Sequence, residues 1–109
     1  MLLALFVEFG PTAPTEELLA EHLDWLFPRF SEGSFILTGG LESADGQPRS
    51  ALALIEAEDV EAAHEMLASD PFVREGLCTH RVVPYNARVR AADLDARFGD
   101  DVRAIPGGA

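Results

Sequence analysis

Lysine is absent from this chain, and cysteine occurs once. A lone thiol, Cys78, excludes an intrachain disulfide and fits a reducing compartment, so a cytoplasmic location is expected. All 8 basic residues are arginine, set against 19 acids, for a net charge of −11. So acidic a chain repels phosphate backbones and anionic lipid. Its densest basic group, Arg81, Arg88 and Arg90, is too sparse for a groove-binding patch. Nucleic acid and membrane surfaces are therefore not expected partners. Long apolar runs are missing too: Met1 to Val7 is apolar, but Glu8 ends the run and no basic segment precedes it. The chain has no internal repeat, and no GK[ST] or GxGxxG pattern accompanies Gly39-Gly40, which excludes a phosphate loop. No two histidines stand one helical turn apart and no HxH occurs, so neither a dedicated metal site nor a cofactor is expected.

What is present reads as one small globular domain. The 109 residues are 48% hydrophobic and 25% charged, ordinary values for a folded protein. Residues 1–90 are expected to form the domain, and 91–109 a tail with a short helix at 91–98 and a frayed end. Residues 2–9 are apolar on both alternating faces, as in a strand covered on both sides. Gly10-Pro11 breaks the strand, and Thr12 or Thr15 can cap the helix that follows, with Pro14 in its first turn. Leu19, Leu23, Leu26 and Phe30 make the inward stripe of that helix, Pro28 kinks its last turn, and Gly33 stops it. A strand at 34–38 closed by Gly39-Gly40, a turn with Asp45-Gly46 at its tip, and a strand at 50–57 form a hairpin. A second helix opens at Glu58-Asp59, with Val60, Ala63 and Leu67 inward. Asp70 then caps a single turn with Pro71 at its first position and Gly76 at its end, before a fourth strand from Leu77 to about Tyr85.

The order β-α-β-β-α-β is the ferredoxin-like arrangement, an α+β sandwich with an antiparallel sheet. Both helices pack on one sheet face, yet the first and third strands are apolar on both. A second copy, sheet against sheet, is the simplest cover for the other face, giving a homodimer that forms a dimeric α/β barrel.

Three segments carry a resemblance: Glu21-His22-Leu23-Asp24-Trp25-Leu26 on the first helix, Gly33 to Thr38-Gly39-Gly40, and Asp70-Pro71-Phe72-Val73-Arg74-Glu75-Gly76-Leu77. Together they resemble the YciI-like (YCII-related) family over residues 2–85. The resemblance implies a dimeric ferredoxin-like fold and a catalytic His-Asp dyad, which maps onto His22 and Asp70. It also implies a small-molecule enzyme; one member type removes chloride from a chlorinated hydroxyhydroquinone. The family often has Gly-Pro where this chain has Gly39-Gly40, and the tail after Tyr85 has no counterpart in it.

The residues themselves offer plainer roles beside these. His22 lies three residues after Leu19 and four before Leu26, so it faces the apolar side of its helix and needs a partner for a ring nitrogen. A carboxylate would fix its tautomer and make a general base; a backbone carbonyl would make it a core histidine. Asp70 before Pro71 is explained by capping alone, although one carboxylate oxygen can cap while the other meets His22. His80 alternates with Cys78 and Val82 and either lines the same cavity or is a half-exposed strand residue. His64, near Glu61 and Glu65, reads as part of a solvated ion pair. Thr38 and Ser34 offer hydroxyls, Cys78 reads as a packing residue, and Gly39 and Phe72 join Thr38 and His80 as pocket-lining candidates. Two functions stay open: an acid–base enzyme acting on a small aromatic or carbonyl compound, and a non-catalytic dimeric module that binds a small molecule or a protein. A His22 and Asp70 far apart, or out of reach of any cavity, would favour the second.

Overall fold

Alternating apolar residues on both faces make β1 (Leu2–Phe9) the strand around which the rest assembles. The computed structural model describes residues 1–43 and 49–108, so the expected Asp45-Gly46 turn lies outside the described residues. Helix α1 (Glu16–Ser31) starts where Thr15 accepts the Leu18 N–H, and Pro14 therefore precedes the cap instead of sitting in the first turn. Pro28 is carried inside the helix, near enough to the end that only one turn follows it. Gly33, at φ 88°, ends α1: its N–H reaches the Phe30 carbonyl and that of Ser34 the Arg29 carbonyl, a paired closure that needs the left-handed region. The inward stripe differs from the expected one at its start. Leu19 is exposed while Leu18 is half-buried.

Strand β2 (Phe35–Leu41) runs through Gly39 and Gly40 instead of stopping at them. Both glycines pair with β3 (Ser50–Glu56), opposite Leu52 and Ala51, and on an edge strand that pairing outweighs their poor strand preference. Phe35 pairs with Ile55 but Leu37 with Leu54, so β2 carries one extra residue at Ile36. This bulge moves Thr38 onto the same face as Phe35 and Ala53. Helix α2 (Val60–Ala68) is capped by Asp59, and the single-turn α3 (Pro71–Arg74) by Asp70. Gly76, at φ 71°, closes α3 as Gly33 closes α1, and β4 (Cys78–Pro84) follows.

The sheet order is β2-β3-β1-β4, with every neighbouring pair antiparallel. With its helices on one face, this is the ferredoxin-like α+β fold. One apolar cluster joins the layers: Leu3, Leu5, Phe35, Ala53, Ile55 and Val82 from the sheet against Leu26, Ala63 and Leu67 from the helices. The opposite sheet face carries Leu37, Leu41, Leu52 and Tyr85, each 40% exposed or more. A short 3₁₀ turn (Leu94–Arg97) replaces the expected helix, and the chain returns to α1, where the Gly108 N–H donates to the Ser31 carbonyl at 2.7 Å and Arg103 lies over the Phe27 ring at 4.6 Å. Among the described residues, no helix is long and apolar enough to cross a membrane.

Candidate active site

The site forms where α1 crosses the corner between α2 and α3. Three side-chain hydrogen bonds fasten that crossing: Glu21 accepts from Arg74 at 3.0 Å, His22 meets Asp70, and the Trp25 indole N–H donates to the Ser69 hydroxyl at 2.8 Å. Residues 21, 22 and 25 share one side of a helical turn, and residues 69, 70 and 74 flank the Asp70 cap. Sequence reasoning did not find the outer two bonds; the only signal was the adjacency of Ser69 and Arg74 to the capping turn.

His22 Nδ1 and Asp70 Oδ1 are 2.8 Å apart, with side-chain exposures of 18% and 10%. The same Oδ1 accepts the Phe72 N–H at 3.0 Å, so one oxygen both caps α3 and meets the histidine. A carboxylate only accepts, so Nδ1 carries the hydrogen and Nε2 is left for another partner. The ring is further fixed by the Phe72 ring, parallel to within 4° at a centroid distance of 4.0 Å, with Trp25 stacked at 6.3 Å.

A cavity of about 70 Å³ opens beside this pair, between the helices and the sheet. His22, Asp70, Trp25 and Phe72 line its helical side, and Thr38, Cys78 and His80 are among the residues lining its sheet side. Gly39 is not among its lining residues: the Ile36 bulge that brings Thr38 in turns Gly39 to the other sheet face, beside Leu52 and Leu54. Ser34 is likewise outside the lining. The enclosed space is smaller than the ~150 Å³ that holds a benzene ring.

His64 does not make the expected ion pair. Its Nδ1 lies 3.1 Å from His80 Nε2, so the two imidazoles share one hydrogen bond from α2 to β4. Burial, and then the neighbouring His64 ring, hold His80 below the ordinary histidine range, while the Asp70 charge pulls the other way. Burial, and then the Asp70 charge, push the Cys78 thiol above its usual range, which disfavours the thiolate form. Among the described residues, no group of three or more metal-ligating side chains comes together.

The YCII-related domain family matches residues 1–86. A comparison with curated proteins finds no match. Among solved structures, the chain is similar to 5-chloro-2-hydroxyhydroquinone dehydrochlorinase from Burkholderia phenoliruptrix, solved with 2,5-dihydroxybenzoquinone. That likeness has a TM-score of 0.58 at 21% identity and covers 79% of this chain and 94% of that one. The chain is also similar to the Mycobacterium tuberculosis protein Rv0793, with a TM-score of 0.50 at 19% identity, over 85% of this chain and 100% of that one. At these identities the structures agree in fold, and the match over residues 1–86 leaves the tail outside it. The chain belongs to the YCII-related domain family.

Proposed function

We propose that the protein is an acid–base enzyme acting on a small molecule, with His22 as general base and Asp70 as the carboxylate that positions it. The contact between Nδ1 and Oδ1 at the wall of a cavity carries this reading. It leaves Nε2 to take a proton from an O–H, or from a C–H beside a carbonyl. The electron pair released then moves to the carbonyl oxygen or expels a leaving group, with no redox step. Asp70 fixes the tautomer and stabilises the imidazolium, and Phe72 holds the ring plane. Thr38 offers a hydroxyl at the rim, and His80 stands on the sheet side.

The dehydrochlorinase that shares the fold makes loss of a leaving group from a hydroxylated compound the first reaction to test. A separated pair, or no cavity beside it, would have favoured the rival reading of a non-catalytic module; the contact and the cavity support the enzyme reading instead. We further propose that the protein works as a homodimer, with a second copy on the open sheet face.

The test uses two probes, hydroxyacetone in D₂O followed by ¹H NMR and chlorohydroquinone followed by chloride release. Turnover above the solvent background is expected for at least one, falling about 100-fold in His22→Asn, within the usual range for removal of a general base. A His22→Asn variant as active as the wild type would remove His22 from the chemistry.

A further inference from the structure

We propose that His80 and His64 form a second proton-transfer station, in which His80 donates to the oxygen of the bound compound and His64 connects it to bulk water. The inference rests on the reading of His22 as the base, and adds the acid on the facing wall. Its geometry is independent of the dyad. His80 projects from β4 on the cavity side of the sheet, with Cys78 and Val82, while His22 belongs to the helical side. His80 spends Nε2 on His64 Nδ1 at 3.1 Å, so Nδ1 is the nitrogen that can serve the cavity His80 lines. His64 is exposed on α2, so its own Nε2 reaches solvent. The two rings thus form a hydrogen-bonded pair that runs from a residue lining the cavity to one exposed to solvent.

The proton count closes along this path. As His22 Nε2 takes a proton from carbon, charge develops on the carbonyl oxygen of the compound. The Nδ1–H bond of His80 breaks and an O–H bond forms. The Nδ1–H of His64 passes to His80 Nε2 along the shared hydrogen bond, and water supplies a proton to His64 Nε2. Neither ring is left as an imidazolate, because one N–H forms at each as one breaks. A neutral His80 suits this role, since it donates without bringing a second positive charge beside an imidazolium His22, and burial together with the His64 ring favours that neutral form.

The experiment measures deuterium entry into the CH₂ group of hydroxyacetone by ¹H NMR, in weakly buffered D₂O. It compares wild type, His22→Asn, His80→Gln, and His64→Ala with and without added imidazole. Wild type is expected to exchange in a His22-dependent way, and His80→Gln to lose at least about tenfold. His64→Ala is expected to slow by a similar factor, and free imidazole to restore it, a response that a merely structural role for the exposed ring would not give. Wild-type exchange rates in both His64→Ala and His80→Gln, beside loss in His22→Asn, would overturn the station and leave the base standing. An absence of His22-dependent exchange in the wild type would overturn the base, and the station with it.

Discussion

Asp70 serves two partners with one oxygen, and the two duties separate by substitution. Asn can still cap α3 and accept the histidine N–H, but it carries no charge to stabilise an imidazolium. Asp70→Asn is therefore expected to unfold in urea within about 1 kcal/mol of wild type while losing most of its activity. Asp70→Ala strands both donors in a buried corner and is expected to cost about 1–3 kcal/mol. Comparable stability losses in the two variants would show that the carboxylate charge, and not the cap and the hydrogen bond alone, carries the stability. His80 gives a pH signature. Its folded-state pKa is lowered, so its contribution to stability is present above the unfolded value of about 6.5 and is lost as pH falls through that value toward the folded one. The stability difference between wild type and His80→Gln should shrink below that pH; one that stays constant from pH 8 to about 5 would contradict it. Cys78, held as the thiol, is expected to react with iodoacetamide at pH 8 more slowly than free cysteine. The contact between His22 and Asp70 was expected from the family resemblance; the residues alone gave only an apolar-facing histidine in need of a partner and an Asp-Pro cap. The partner of His64 was not legible in the sequence, since a contact between a helix and a strand is set only by how α2 seats on β4.

The elements are legible in the sequence wherever local chemistry decides them. β1, the Asp59 and Asp70 caps and the closing glycines all follow from nearby residues, and Gly33 provides the measurable case. At φ 88° an alanine is strained, and Gly33→Ala is expected to lower stability by about 1 kcal/mol, visible as a fall in thermal midpoint. Open space around the added methyl group means that any loss reports backbone strain and not a clash. Local sequence does not carry the features that pairing across the sheet decides. Gly39 and Gly40 look like a stop until β3 lies beside them, and nothing in Phe35-Ile36-Leu37 announces a bulge. That one extra residue decides whether Thr38 or Leu37 faces the cavity, so the pocket wall could not be composed from alternation alone. The path of the tail was hidden for the same reason, because Gly108 finds Ser31 only after both have folded.

At the scale of the molecule, an apolar sheet face meets a large negative charge, and the balance between them sets how the proposed dimer should respond to salt. Leu37, Leu41, Leu52 and Tyr85 leave that face exposed, while Phe98 and Val102 from the tail share a groove with its β2 side. Burying the face would gain roughly 25 cal/mol per Å² of apolar surface, but each arriving copy brings a net charge of −11. Like charges outside the contact are screened within about 8 Å at 0.15 M salt and within about 30 Å at 0.01 M. The proposed dimer should therefore tighten as salt is added, the reverse of an association held by ion pairs. Sedimentation velocity at both salt concentrations is the measurement, with 11.8 kDa as the mass of one chain. Leu52→Glu places a carboxylate at the middle of the face, opposite Phe6 on β1, and is expected to hold the protein monomeric at either concentration without disturbing the buried core on the other side of the sheet. A wild type that sediments as a monomer at every salt and protein concentration would instead leave the tail as the only cover this face has.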